Sequence, residues 1–203
     1  MDKKNYDKEM CNIIVKGVKA LPTLLLHSCC APCSTACIER LKEHFLITVY
    51  YYNPNIDSQS EYDLRSSEQV RLCKELGIKC IVEKYNPSEF IDAVRGLEGE
   101  KEGGARCEKC FRLRLEKTAE KASSLNINYF ATTLTVSPHK NSTIINQIGE
   151  QVQFDKSQPF LPSDFKKRNG YLRSINLSKE YNLYRQNYCG CVYSKGHLED
   201  KGL

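Results

Sequence analysis

Residues 22–34 read PTLLLHSCCAPCS. Leu24-Leu25-Leu26 is a short apolar run of the kind that forms a buried strand. Pro32 stands where the first turn of a following helix begins. A helix then extends over 34–45, with Ala36, Ile38, Leu41 and Phe45 at helical spacing. The decisive junction is therefore strand to helix, and four cysteines (Cys29, Cys30, Cys33 and Cys37) lie at that junction.

The alternation continues outward. LITVYYY (46–52) reads as a second strand, stopped by Asn53-Pro54-Asn55. A helix over 61–76 ends at Gly77, and a third strand covers 78–85. A short helix at 87–94 precedes GLEGEKEGGARC (96–107), a Gly-rich charged segment expected to be a mobile loop. A helix over 110–125 turns Leu113, Leu115 and Ala119 inward, and YFATTLTV (129–136) reads as a fourth strand. Helices over 142–152 and 168–181 flank an irregular stretch at 154–165. Alternating strands and helices imply a parallel sheet covered on both faces. The expected fold is α/β, a doubly wound, Rossmann-like (HUP-like) parallel sheet. We expect one domain over 1–203, with a core over 22–152 and a C-terminal helical and loop extension over 153–203. Sites in such sheets lie beyond the carboxyl ends of the strands. Cys29, Cys30, Asn53 and Ser137 fall there.

The chain has 203 residues, 27% of them charged, and a net charge of +5. That mild excess permits a polyanionic partner without requiring one. No run approaches the roughly 18 apolar residues of a membrane span. The opening MDKKNYDKEM carries both charge signs and leads into no signal-type apolar core. The expected location is cytoplasmic, with no membrane partner. In a reducing compartment 11 cysteines point to metal binding or redox chemistry rather than a disulfide framework.

The thiols form three clusters. Cys29-Cys30-Ala-Pro-Cys33 is followed by Cys37 one turn later. Cys107-Glu-Lys-Cys110 comes next, and Cys189-Gly-Cys191 lies near the end. Cys11, Cys73 and Cys80 stand apart and read as ordinary buried or free thiols. A C-x-x-C pair places two thiolates around one metal or cluster. Helix starts and nearby cations such as Arg106, Lys109 and Arg112 favour the thiolate. Two such segments can hold zinc or an iron–sulfur cluster. A closed zinc site takes only four ligands, so the surplus favours redox chemistry or a second metal. The Cys189–Cys191 pair suits either a labile redox disulfide or further metal ligation.

Several stretches together resemble the QueH-type epoxyqueuosine reductases: LLLHSCCAPCS, YYNPNI with EYDLR, RCEKCFRLRLEKTA, ATTLTVSPHKN, and DFKKRNGY with YNLYRQNYCGCVYS. The likeness runs over about 27–194. It implies removal of the epoxide oxygen of epoxyqueuosine at the tRNA anticodon wobble base, the last step of queuosine biosynthesis. It further implies a 4Fe–4S cluster on Cys29, Cys30, Cys107 and Cys110, and a redox-active pair at Cys189 and Cys191. At the position of Cys33 relatives can carry an acidic residue. A second, mononuclear iron there is the corresponding expectation. The implied partners are tRNA bearing epoxyqueuosine and an external electron donor.

Candidate proton donors are Tyr188, Tyr184 and Glu61, although Glu61 and Arg65, four apart on a helix, also suit a plain ion pair. Tyr50-Tyr51-Tyr52, Tyr181, Tyr184 and Tyr188 could stack on bases. Lys166, Lys167, Arg168, Arg173 and Arg185 could meet phosphate. Other classes compete. Cys30-Ala-Pro-Cys33 has the form of a thiol–disulfide oxidoreductase site, but that leaves the other clusters unexplained. A structural-zinc RNA-binding module would use the thiols without turnover. An ATP-dependent tRNA thiolase would need a phosphate-cradling loop, and HSCCAPCS contains no glycine.

Overall fold

The computed structural model describes residues 4–15 and 20–199. Four strands form one parallel sheet in the order β3-β2-β1-β4: β1 (Thr23–His27), β2 (Leu46–Tyr51), β3 (Lys79–Val82) and β4 (Tyr129–Thr132). Leu24 faces Ile47 on one side and Tyr129 on the other, so β1 is central. Strand side chains alternate between faces, and the packing divides accordingly. Leu24 and Leu26 pack with Ile38 and Leu41 of α2 (Ala31–Leu41). Leu25 packs with Leu115 and Ala119 of α5 (Ala105–Ser124) on the opposite face. One apolar tripeptide thus feeds two cores, which is what a doubly wound sheet requires.

Local chemistry sets the helix ends. Cys30 caps α2 in an extended conformation and proline enters its first turn. The Ser58 hydroxyl accepts from the Glu61 amide at the start of α3 (Gln59–Glu75). Gly77, at φ +67°, follows its end. Asn141 caps α6 (Ser142–Lys156) by accepting from the Thr143 amide at 2.9 Å. The remaining helices are α1 (Tyr6–Val15), α4 (Pro87–Ala93), α7 (Gly170–Glu180), packed on α2, and α8 (Val192–Glu199).

Three expectations are corrected. Helix α1 has no counterpart in the sequence reading; its Met10 is buried in the α2-side core. The fourth strand ends at Thr132, and Thr133–Val136 is a 3₁₀ turn. The Thr132 hydroxyl accepts from the Leu134 amide at 3.2 Å, a local bond that competes with the strand ladder. Helix α5 begins at Ala105 rather than at Cys110, so Cys107 joins Cys110 on its first turns instead of preceding it. The glycine-rich segment before it is tied down by buried Arg106, whose Nη1 donates to the carbonyls of Leu97, Glu98 and Glu100.

Candidate active site

The carboxyl edge of the sheet is fastened by side chains before any cysteine appears. His27, fully buried, reaches the Tyr52 carbonyl with Nε2 (3.1 Å) and Thr132 Oγ1 with Nδ1 (2.9 Å). A carbonyl only accepts, so Nε2 carries the proton and Nδ1 accepts from the hydroxyl. Burial pulls the His27 pKa down to about 3, so the ring is neutral. Behind the next loop, Gln69 Oε1 accepts from Ser28 Oγ (2.6 Å) and Ser34 Oγ (2.8 Å). Asn53 Nδ2 donates to the Ser28 carbonyl at 2.9 Å.

On this frame the thiols of Cys29, Cys30 and Cys33 all lie within 4.8 Å of one another. Cys30 and Cys33 Sγ are 2.8 Å apart, and Cys29 and Cys30 Sγ 3.9 Å. Hydrogen bonds from the Cys30 and Cys33 thiols hold Cys29 well below the usual thiol range. The same sharing pushes Cys30 up to about 12. This triad lines a cavity of about 420 Å³ that also reaches Cys189, Tyr188 and Arg185. A second cavity of about 90 Å³ is lined by Cys107, Cys110, Cys189 and Cys191. Burial pushes Cys110 up to about 12. The two cavities share Glu102, Arg114, His139, Lys140 and Cys189 as walls. All three cysteine clusters therefore converge, from β1–α2, α5 and the segment before α8. A donor set made of thiols is soft, and suits zinc or iron–sulfur.

The other expected residues separate into two groups. Tyr188 and Arg185 line the larger cavity. The Tyr188 hydroxyl donates to Asp57 Oδ1 (2.9 Å), and burial together with that carboxylate raises its pKa. Glu61 lies behind the wall. Its Oε1 takes a 2.7 Å bond from Arg65 Nε and a 3.2 Å bond from the Tyr184 hydroxyl. The Glu61–Arg65 ion pair is present, but Arg65 is 2% exposed, so it is a buried pair rather than a surface one. Tyr50, Tyr51 and Tyr52 are all buried and offer bases no open face. Lys166 donates to the Lys140 carbonyl, Arg168 pairs with Asp7, and Arg173 pairs with Glu39. Neither these three nor the exposed Lys167 lines either cavity.

Two residues that the sequence reading left out stand in the walls. Arg114 is 1% exposed and donates from Nη1 to Asn53 Oδ1 at 3.0 Å. The signal was available: Cys107, Cys110 and Arg114 fall at i, i+3 and i+7, one helical face. Lys140 is half-buried. Burial alone would lower its pKa, but the negative charge that Cys189, Cys29 and Cys33 can carry beside it outweighs burial and keeps the ammonium charged. No pattern in the sequence marks Lys140.

The family profile described as "Epoxyqueuosine reductase QueH" matches residues 24–197. Curated relatives with that name include one from Streptococcus pyogenes serotype M1, 46% identical over 200 residues, covering 95% of this chain and 78% of that protein. Another from Thermotoga maritima is 35% identical over 175 residues, covering 85% and 90%. Among solved structures, the U34-tRNA thiolase NcsA from Methanococcus maripaludis with its [4Fe-4S] cluster superposes with a TM-score of 0.58 at 13% identity, over 97% of this chain and 70% of that one. A predicted tRNA methyltransferase subunit from Methanocaldococcus jannaschii gives 0.57 at 16%, over 90% and 89%. Those two likenesses bear on the α/β fold alone. With the sequence matches spanning nearly the whole chain, the chain belongs to the epoxyqueuosine reductase QueH family.

Proposed function

We propose that this chain reduces epoxyqueuosine in tRNA to queuosine, with a 4Fe–4S cluster held by Cys29, Cys30, Cys107 and Cys110. The observation that carries the reading is the convergence of three cysteine segments on two cavities with shared walls. Such a cluster, when bound, supplies electrons singly and an iron site able to polarise the epoxide oxygen.

The chain's own residues account for the rest of the balance. Converting an epoxide to an alkene and water takes two electrons and two protons. Cys189 and Cys191 as a dithiol give up both on closing to a disulfide, which an external donor then reopens. Tyr188 keeps its proton at neutral pH, lines the larger cavity and is the candidate acid toward the departing oxygen. Cys33, beside Cys30 but outside the cluster's ligand set, is the residue for a second, mononuclear iron. Arg185 at the cavity wall is placed for an RNA phosphate. Lys166, Lys167 and Arg168, if they touch RNA, do so away from the reacting ring. Among the described residues no helix is long and apolar enough to cross a membrane.

The test is metal content followed by turnover. Anoxically prepared protein should contain about four irons and four sulfides per chain, with iron above that number belonging to Cys33. It should convert tRNA-borne epoxyqueuosine to queuosine, read by mass spectrometry of digested nucleosides. Zinc alone, without sulfide, would sink the reading.

A further inference from the structure

Arg114 is among the largest fully buried side chains of the chain. One corner of its guanidinium is fixed: Nη1 donates to Asn53 Oδ1, and Asn53 is itself buried and bound to the Ser28 carbonyl. The other corners are not satisfied. Nε and Nη2 are buried with no hydrogen-bond partner. A guanidinium is a planar fork of five donors that stays charged. Burying it with two of its three nitrogens unpaired is strongly unfavourable unless an anion meets them.

The surroundings name the anion. Arg114 is a wall of both cavities, and so stands between the Cys29–Cys30–Cys33 group and the Cys107–Cys110–Cys189–Cys191 group. Burial opposes its charge, and the neighbours that favour it through the negative charge a cysteine sulfur can carry are Cys110, Cys189, Cys29 and Cys191, in that order. Lys140 supplies a second positive charge, but it is only half-buried and its ammonium is a strongly hydrated point charge. Arg106, also buried, lines only the smaller cavity and spends its Nη1 on the Leu97, Glu98 and Glu100 carbonyls, whereas Arg114 is a buried guanidinium on the wall of both.

We propose that Arg114 is a positioning residue, a buried counter-cation whose Nε and Nη2 donate to the sulfurs of the thiolate-bound cluster and raise its reduction potential. The inference rests on the cluster reading above. Each electron added makes a cysteinate-held centre more negative. A fixed cation and hydrogen bonds to sulfur, away from water, stabilise that reduced form more than the oxidised one.

The experiment is a redox titration followed by electron paramagnetic resonance on anoxically loaded full-length protein, after assay of iron and sulfide. Wild type, Arg114→Lys and Arg114→Met are compared. Arg114→Met should titrate at a clearly lower potential and Arg114→Lys between the two, because lysine keeps charge but loses the planar fork. Loaded variants that titrate at the wild-type potential overturn the inference and leave the cluster reading standing. If Arg114→Met retains no iron, Arg114→Lys decides: a lowered potential supports the assignment, an unchanged one overturns it. A wild-type protein without iron and sulfide overturns both.

Discussion

Arg65 Nη1 donates to the Cys189 carbonyl at 3.4 Å, tying the buried face of α3 to the C-terminal cysteine pair. The same guanidinium stacks 4.9 Å from the Tyr188 ring centre. Gly190, at φ +115°, leaves just enough room; a β-carbon there would lie 3.0 Å from Arg65 Nη1 and 3.3 Å from Ile56 Cγ1. Gly190→Ala therefore forces both backbone strain and a close contact. We expect a loss of about 1–3 kcal/mol by urea unfolding. Turnover should fall while cluster iron stays, since the proposed cluster ligands lie on other segments.

Tyr188 and Glu61 should behave differently when altered. Tyr188→Phe removes only the hydroxyl that faces Asp57. If that hydroxyl is the acid, the single-turnover rate falls about 10²- to 10⁴-fold with tRNA binding unchanged. A fall of less than tenfold would move the role elsewhere. Glu61→Gln instead strands the buried Arg65 charge. It should lower stability by about 3 kcal/mol, and its effect on rate should track that loss.

The cysteines should separate by metal analysis. Cys29→Ser and Cys110→Ser should each lose most iron and sulfide. Cys33→Ser should keep the sulfide and lose only iron in excess of it. Cys189→Ser should keep all the metal and fail to turn over under conditions where the dithiol is the electron source.

His27 makes stability depend on pH in a definite direction. Its folded pKa is about 3 against an ordinary 6.5, so below pH 6.5 the unfolded chain binds a proton that the folded chain refuses. Stability contributed by the neutral ring is full above pH 6.5 and declines as pH falls toward 3. The slope approaches about 1.4 kcal/mol per pH unit, or about 1.5–2 kcal/mol between pH 6.5 and 5. Urea midpoints of metal-free protein at the two pH values measure it. The drop should be smaller in His27→Gln, and the difference between the two proteins isolates the imidazole.

Much of this arrangement was legible in the residues. Leu24-Leu25-Leu26 marks a strand buried on both faces, and the three cysteine clusters mark the end of the sheet where chemistry gathers. TLTV (133–136) was misread because β-branched residues look like strand. The hydroxyls there are used otherwise: Thr132 Oγ1 accepts from the nearby Leu134 amide, and Thr133 Oγ1 accepts from the Cys29 amide across the sheet edge. Glu61 was misplaced because sequence spacing gives a helix face but not its depth. Arg65 meets Glu61 one turn away, as the spacing suggested, but its bond to the Cys189 carbonyl and the bond of Arg114 to Asn53 join segments far apart in the chain. No local pattern encodes such pairings.

The Gln69 bracket behind the cysteine loop has a consequence of its own. Its Oε1 receives Ser28 and Ser34, and its Nε2 donates to Cys73 Sγ at 3.2 Å. Bonds among amide, hydroxyl and thiol groups, buried and without net charge, have little cause to rearrange when the charge in front of them changes. Holding the cysteine loop by such a frame keeps the sulfur positions alike with or without an added electron. In electron-transfer language, such a loop would lower the reorganisation energy of a redox centre bound to it.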